Sequence, residues 1–139
     1  MKALKSTRVL ITSTQGPTEQ EWRIMSKSMS RNRGIGIAAP QLGIQKRACI
    51  VAAHKMEPIY MVNPGIIDTK GEYETIEACL SLPGQSWAVK RHKVVDVIYI
   101  DGKSGKTKTR TFRGEQAQIV QHEIDHMNGI MIDSGRGLE

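Results

Sequence analysis

The fold is decided by one stretch near the end of the chain, 114-GEQAQIVQHEIDHMN-128. Apolar residues recur there at helical spacing, which predicts a helix over 114–128 that Gly129 ends. One stripe of this helix is apolar, and it consists of Ala117, Val120, Ile124 and Met127. The adjoining face carries Ile119, His122, Glu123 and His126. Because these two faces take up much of the circumference of the helix, we expect the helix to be buried among strands.

The strands are expected in the middle of the chain. Lys93 to Asp101 and Thr107 to Arg113 flank a glycine-containing turn at 102–105, which predicts a β-hairpin. Further strands are predicted at about 46–53, 58–63 and 65–76, the last two joined at 63–64. Before them, the apolar stretch 34–41 is interrupted by glycines and is too short for a helix.

A second helix is predicted near the start of the chain. Thr18 and Glu21 have the spacing of a capping box, and Gly34 supplies a stop. Trp22, Met25 and Met29 recur at helical spacing inside it. The sequence therefore predicts one α+β domain over 1–139, with antiparallel or mixed β-sheets around a central metal-binding helix and an N-terminal helix.

Composition excludes several classes of protein. The chain has 139 residues, of which 39% are apolar and 24% charged, and no apolar run approaches the ~20 residues of a membrane span. Two cysteines do not make a disulfide framework and fit a reducing cytosol. The net charge is +6, but no recognisable nucleic-acid module accompanies it. A basic cluster on the predicted hairpin comprises Lys103, Lys106, Lys108, Arg110 and Arg113.

The C-terminal helix carries an H-E-x-x-H motif, His122-Glu123-Ile124-Asp125-His126. Residues four apart lie on one helix face with Cβ atoms about 5–6 Å apart, so both imidazoles can reach one cation. Glu123 follows the first histidine, and its carboxylate can approach a metal-bound water without being a ligand. The motif predicts a metal-dependent hydrolase, and the alternative is a pair of surface histidines on an amphipathic helix.

A catalytic metal needs a third protein ligand and an open position for water. The downstream ligands of common peptidases are excluded, because little chain follows His126 and Ile132 stands where metzincins have their third histidine. The ligand must come from upstream, where the candidates are Cys49, His54, Cys79 and His92. Cys79 is favoured because it lies in a polar, turn-rich segment, whereas Cys49 lies inside an apolar run.

Three segments resemble the three signature motifs of the peptide deformylase family: 34-GIGIAAPQ-41, 77-EACLS-81 and 121-QHEIDH-126. Their order and spacing also match, and the resemblance spans nearly the whole chain from the first predicted helix onward. It implies a hydrolase that removes the N-formyl group from the initiator methionine of nascent polypeptides and releases formate. It also implies Fe²⁺ as the native metal, with Ni²⁺, Co²⁺ or Zn²⁺ able to substitute, on Cys79, His122 and His126.

The resemblance further implies how the site works. A metal-bound water is the nucleophile, Glu123 is general base and then general acid, and the oxyanion is held by the metal with the Gln41 amide and the Leu80 N–H. The family pairs its glycine-containing segment with the substrate like an added strand. Substrate contacts are expected from Gly34, Ile35, Gly36, Ala78, Gln118 and Ile119. For Ile119, core packing is an equal alternative.

The chain departs from the family pattern in two places. Ala78 stands where the family usually has glycine, beside the substrate groove. Typical bacterial members continue into a C-terminal helix that docks on the ribosome, whereas this sequence stops soon after Gly137, so only transient ribosome contact is expected. The expected partners are N-formylmethionyl nascent peptides, with no membrane and no specific nucleic acid. We expect a monomer in the cytosol of a bacterium or of a phage-infected bacterium.

Two other functions fit parts of the sequence. A deacetylase or peptidase on the same scaffold is conceivable, because Ala78 and Gln118 can change the acyl or side-chain preference. A closed structural zinc site would add Cys49 or His54 as a fourth ligand. Such a site has no need for Glu123 beside the metal or for Gln41 opposite it.

Overall fold

The computed structural model describes residues 16–31, 35–79 and 82–128, with the backbone alone at 78–79, 82–85 and 87. Two helices enclose a sheet. The helices are α1, Glu19–Arg31, and α2, Gly114–Met127. The strands are β1 (Gly36–Ala38), β2 (Ala48–Val51), β3 (Ile59–Cys79), β4 (Leu82–Asp101) and β5 (Thr107–Arg113), with a 3₁₀ turn at Ala39–Leu42. The predicted α+β class is confirmed.

The sheet is antiparallel throughout and follows chain order, β1-β2-β3-β4-β5. One helix packs on part of each of its faces. On the face that we name the α2 side, α2 packs on strand residues such as Cys49, Met61 and Phe112. On the opposite face, the α1 side, Met25 and Met29 pack on a smaller apolar cluster. Alternate residues of each strand point to opposite faces, so one short strand such as β2 supplies both cores.

The start of α1 has the geometry that its sequence predicts. The backbone N–H of Glu21 donates to Thr18 Oγ1 at 3.1 Å, and the N–H of Thr18 donates to Glu21 Oε1 at 2.9 Å. This reciprocal pair is a capping box, which satisfies helix N–H groups that have no partner within the helix. The predicted stop, Gly34, lies outside the described residues.

The strands differ from the prediction in two respects. The two strands predicted at 58–63 and 65–76 are one strand, β3. The strand continues through residues 63–64, where its pairing with β4 is irregular. Asn63 takes a φ of 50° there, and its N–H donates to the Arg47 carbonyl; asparagine tolerates this left-handed conformation better than most residues. β4 begins at Leu82 rather than at 93, since long-range pairing with β3 overrides a weak local pattern.

α2 follows β5 without a loop. Gly114 has a φ of +58°, a conformation that strains residues with a side chain, and it turns the chain from strand to helix in one step. More than half of the helix is buried, as its sequence predicts: Ala117, Ile119, Val120, Gln121, Glu123, Ile124, His126 and Met127. Within the described part of the chain, no helix is long and apolar enough to cross a membrane.

Candidate active site

The two histidines of the motif face each other on α2. Their Nε2 atoms lie 3.0 Å apart, a separation at which two imidazoles can bind one cation. Burial holds the pKa of His126 well below its ordinary value, and two nearby basic groups, His122 when it is protonated and Arg91, lower this pKa further. His126 is therefore neutral, which is the form that binds a metal.

Glu77, near the end of β3, fixes the ring of His122. The Nδ1 of His122 donates to Glu77 Oε1 at 2.7 Å. Burial would raise the pKa of Glu77, but hydrogen bonds from Arg91 and His122 outweigh it and lower this pKa to about 2. Because the carboxylate is ionised, it accepts the Nδ1 proton and leaves the Nε2 lone pair of His122 directed at His126. A carboxylate behind a ligand histidine is the usual support of a metal site.

Arg91 of β4 joins two carboxylates beneath the histidines. Its Nε and Nη2 donate to Glu77 at 2.9 and 2.7 Å, and its Nη1 donates to Asp125 at 2.5 Å. The side chain is only 3% exposed. Although burial opposes its charge, the hydrogen bond to Glu77 and the charge of Asp125 raise the pKa of Arg91. The guanidinium is therefore a fixed charge that holds β3, β4 and α2 together at the site.

Gln121 anchors the same turn of α2 to the backbone of β4. Its Oε1 accepts from the N–H of His92 at 2.8 Å, and its Nε2 donates to the carbonyls of His92 at 2.8 Å and Ala117 at 2.9 Å. Buried polar groups are tolerated when their hydrogen bonds are satisfied in this way. The anchor fixes the helix directly before the first histidine.

Glu123 is buried on the other side of His122, against β1. Its Oε1 has no hydrogen-bond partner among the described residues. A Cβ on Gly36 would lie 2.6 Å from its Oε2, so only glycine allows this close approach. Burial raises the pKa of Glu123 to about 7, against the opposing charges of His122 and Arg91. A carboxyl with a pKa near neutrality can both take and release a proton.

Gln41 lies in the 3₁₀ turn after β1, which contacts α2. Its side chain is buried, and its Oε1 accepts the N–H of Ala38 at 2.9 Å. This bond fixes the carboxamide plane and sets the direction of its Nε2 donor. Gln41 and Glu123 thus approach β1 from the same side of the sheet as α2.

Of the remaining predicted site residues, the structure describes some in full, some by their backbone alone and some not at all. Cys79 is the last residue of β3, two positions after Glu77, and its side chain is not described, as is also the case for Ala78. Gly34 and Leu80 lie outside the described residues. Ile35 is about half exposed next to Gly36, Gln118 is half-buried, and Ile119 packs in the core on the α2 side. The described side chains include no group of three metal-binding residues.

None of the other upstream candidate ligands forms a metal-binding group with the two histidines among the described residues. Cys49 is buried in the core on the α2 side, and burial together with the charge of Glu123 raises the pKa of its thiol. His54 is exposed, and the Nδ1 of His92 contacts the carbonyl of Gly71 at 3.1 Å. Sequence reasoning missed Glu77 and Asp125 as supports, although both lie inside the quoted motifs. It also missed Arg91, which no local pattern marks.

A site in which one helix supplies two imidazoles and an adjacent buried carboxyl is that of a metal-dependent hydrolase. Comparison with known proteins defines the class further. A family model described as "Polypeptide deformylase" matches residues 2–135. The chain therefore belongs to the polypeptide deformylase family. It is a metal-dependent hydrolase that removes the formyl group from nascent polypeptides.

Named relatives agree with the family model. The peptide deformylase of Dictyoglomus thermophilum is 40% identical over 110 residues, which are 79% of this chain and 71% of that protein. A Synechococcus elongatus peptide deformylase in complex with actinonin has a TM-score of 0.85 and 32% identity, covering 97% of this chain and 78% of the other. A Met-Ala-Ser-bound class I type b deformylase from Acinetobacter baumannii has a TM-score of 0.80 and 33% identity, covering 92% and 89%.

Proposed function

We propose that Cys79, His122 and His126 hold one divalent metal ion, Fe²⁺ natively, with Ni²⁺, Co²⁺ or Zn²⁺ as substitutes. The observation that carries the proposal is the approach of the two Nε2 atoms to 3.0 Å, with His122 oriented by Glu77. A thiolate from Cys79 would complete a three-ligand set that leaves a position for water. When bound, the ion acidifies that water and polarises the formyl carbonyl group.

Glu123 moves the proton. It takes a proton from the attacking water as the water oxygen bonds to the formyl carbon. It then delivers a proton to the amino nitrogen of the first residue as the bond between the formyl carbon and that nitrogen breaks. Formate and a free amino terminus result. The buried position of Glu123 and its pKa of about 7 support this double role, since either protonation state is accessible near neutral pH.

Gln41 and Leu80 stabilise the oxyanion. As the water oxygen adds, negative charge develops on the formyl oxygen, where the Nε2 of Gln41 and the backbone N–H of Leu80 donate. The bond from Ala38 N–H to Gln41 Oε1 supports this role for Gln41, because a fixed carboxamide needs no reorganisation during the reaction. Removing one such donor typically lowers kcat by roughly 10²–10³-fold.

The substrate is the formyl-methionyl end of a nascent chain, bound along β1. This strand forms one edge of the described sheet and passes beside Glu123. An extended peptide can add to such an edge by backbone hydrogen bonds. Contacts come from Gly34, Ile35, Gly36, Ala78, Gln118 and Ile119. We place the reaction in the bacterial or phage-infected cytosol, performed by a monomer with at most transient ribosome contact.

Formate release from formyl-Met-Ala-Ser tests the reaction. The full chain is loaded anaerobically with Fe²⁺, Ni²⁺, Co²⁺ or Zn²⁺, and acetyl-Met-Ala-Ser and an internal peptide are assayed in parallel. We expect formate from the formyl peptide only, fastest with Fe²⁺ or Ni²⁺. Hydrolysis of the acetyl or internal peptide at an equal rate would instead favour a deacetylase or a peptidase.

A pair of cysteine variants tests the ligand set. Cys79→Ala should lose the bound metal and the activity together, because two imidazoles alone hold a divalent ion weakly. Cys49→Ala is the matched control, since its thiol is buried in the apolar core and should not affect metal content. Metal analysis after gel filtration is the measurement. One metal per chain retained by Cys79→Ala would overturn the assignment.

A further inference from the structure

The helix α2 lies between the edge strand β1 and the end of β3, and it contacts both. Gly36 of β1 lies against the carboxylate of Glu123, whereas Glu77 of β3 bonds His122 on the other side of the helix. A peptide along β1 places alternate side chains over α2. If its formyl group lies at His122, its first side chain would lie over the helix turn before that residue. This placement rests on the function proposed above.

On the side that faces β3, that turn of the helix carries a polar patch. The hydroxyl of Tyr73 donates to Gln118 Oε1 at 3.5 Å, and Gln118 Nε2 donates to Thr75 Oγ1 at 3.5 Å. Tyr73, Thr75 and Glu77 stand at alternate positions of β3 and therefore share the face that meets α2. We name these three polar residues, Tyr73, Thr75 and Gln118, the Gln118 patch.

Both contacts of the Gln118 patch are 3.5 Å long, at the limit for a hydrogen bond, so they orient the carboxamide without saturating it. Burial and the charge of Glu77 raise the pKa of Tyr73, so its hydroxyl stays protonated and donates to the carboxamide oxygen. The amide nitrogen of Gln118 has two hydrogens, and its contact with Thr75 is at the long limit for a hydrogen bond. A substrate atom that accepts a hydrogen bond can therefore compete for the Gln118 donor. A hydrocarbon side chain would cover the amide without giving it a partner, which is unfavourable.

We propose that Gln118, oriented by Tyr73 and Thr75, selects formyl peptides whose first side chain ends in a hydrogen-bond acceptor. Among side chains of similar length, the sulfoxide oxygen of oxidised methionine is a strong acceptor, the thioether of methionine is a weak one, and norleucine has none. The enzyme should therefore prefer formyl-methionine to formyl-norleucine. It should also deformylate chains whose initiator methionine has been oxidised.

Three tripeptides that differ only at the first side chain test the proposal. They are formyl-Met-Ala-Ser, its methionine-sulfoxide form and its norleucine form, assayed for kcat/KM on the metal-loaded full chain. The readout is the ratio of kcat/KM for the sulfoxide peptide to that for the norleucine peptide. Gln118→Leu should lower this ratio about two- to tenfold, the effect of one hydrogen bond. Gln116→Leu, the same change on the same helix, should leave the ratio at the wild-type value.

Tyr73→Phe provides a second route if Gln118→Leu fails to fold. It removes the hydroxyl that orients the carboxamide, so the ratio should fall in the same direction by a smaller factor. A ratio that stays at the wild-type value in both variants, with every peptide hydrolysed, would overturn the role of Gln118 and leave the deformylase function standing. If the wild type releases formate from none of the three peptides, both the role of Gln118 and the deformylase function are overturned.

Discussion

Each face of the sheet carries a buried cluster of side chains, and the two clusters differ in chemistry. On the α1 side the buried cluster is entirely apolar and consists of Met25, Met29, Ile37, Ala39, Ala48 and Ile50. On the α2 side the apolar core is interrupted by buried polar side chains, namely Gln41, Glu77, Arg91, Gln121, Glu123 and His126. Burying polar groups costs stability unless they are paired. The difference indicates that the α1 side contributes to stability alone, whereas the α2 side contributes to stability and also carries the proposed reacting groups.

The largest effect is expected on the α2 side from Glu123→Gln. Because the amide cannot carry a proton between water and amine, kcat/KM for formyl-Met-Ala-Ser should fall roughly 10²–10⁴-fold. The free energy of unfolding should be unchanged or higher, since a buried carboxyl without a partner for its Oε1 becomes neutral. Formate release and urea denaturation measure the two quantities separately.

Glu115→Gln is the control for this variant. Glu115 lies on the same helix but is exposed, and its carboxylate oxygen accepts the His54 N–H, which an amide oxygen can also do. It should keep wild-type activity. A loss in kcat/KM of less than tenfold in Glu123→Gln would show that another group carries the proton. The buried carboxyl would then not distinguish the α2 side from the α1 side in its chemistry.

The next largest effect is on stability, from Arg91→Met. Removing the guanidinium leaves the buried carboxylate of Glu77 and the half-buried carboxylate of Asp125 without their cation, which should destabilise the fold by about 3–5 kcal/mol. Lys90→Met, an exposed neighbour on β4, should change stability little. Adding Glu77→Gln to Arg91→Met should recover part of the loss. A cost below about 1 kcal/mol would show that the network is not fully desolvated.

The sequence predicts those features of this contrast that depend on local patterns. The i, i+4 spacing of His122 and His126 predicts the two facing imidazoles of α2. The Thr18–Glu21 spacing locates the start of α1, with both hydrogen bonds of its capping box present. The hairpin of β4 and β5 also follows from its turn residues. Each of these signals lies within a few residues of its structural consequence.

What the sequence does not predict depends on long-range pairing. Arg91 lies in the run Lys90-Arg91-His92-Lys93, where no local pattern marks one cation as buried, because its partners Glu77 and Asp125 come from other elements. The continuity of β3 through Asn63 likewise depends on its long-range pairing with β4, although asparagine suits the left-handed conformation at that position. The role proposed for Gln118 also depends on long-range pairing, because β3 places Tyr73 and Thr75 against it.

Met25→Ala should lower stability and leave kcat unchanged, which is the reverse of the effect expected for Glu123→Gln. Met25 is fully buried on the α1 side, and its truncation should destabilise the fold by about 2–5 kcal/mol through lost contacts and a cavity. The kcat of the folded enzyme should stay at the wild-type value, because the sheet separates this cluster from the α2 side. Ile24→Ala, at the exposed neighbouring position, is the control. A drop in kcat or in metal content would contradict the division between the faces.

A smaller effect on the same face is expected from Thr18→Ala. The change removes the Oγ1 acceptor for the N–H of Glu21, so it should cost about 1 kcal/mol in the free energy of unfolding. Thr18→Ser keeps the acceptor and should recover most of the loss. Urea denaturation is the measurement, and formate release should not change. An equal loss in both variants would show that the methyl group, rather than the hydroxyl, stabilises the helix start.

The smallest effect is a pH dependence carried by Glu21. A hydrogen bond from Lys46, followed by the bond from the Thr18 N–H, lowers the pKa of this carboxyl below its ordinary value of 4.5. A lowered folded-state pKa adds stability that is fully present above the unfolded pKa and is lost as the pH falls through the folded one. Wild type should therefore be more stable than Glu21→Gln at pH 7, and the difference should shrink once the pH falls below 4.5. A difference that stays constant down to pH 3 would show that the Glu21 side chain acts through its shape and not through its charge.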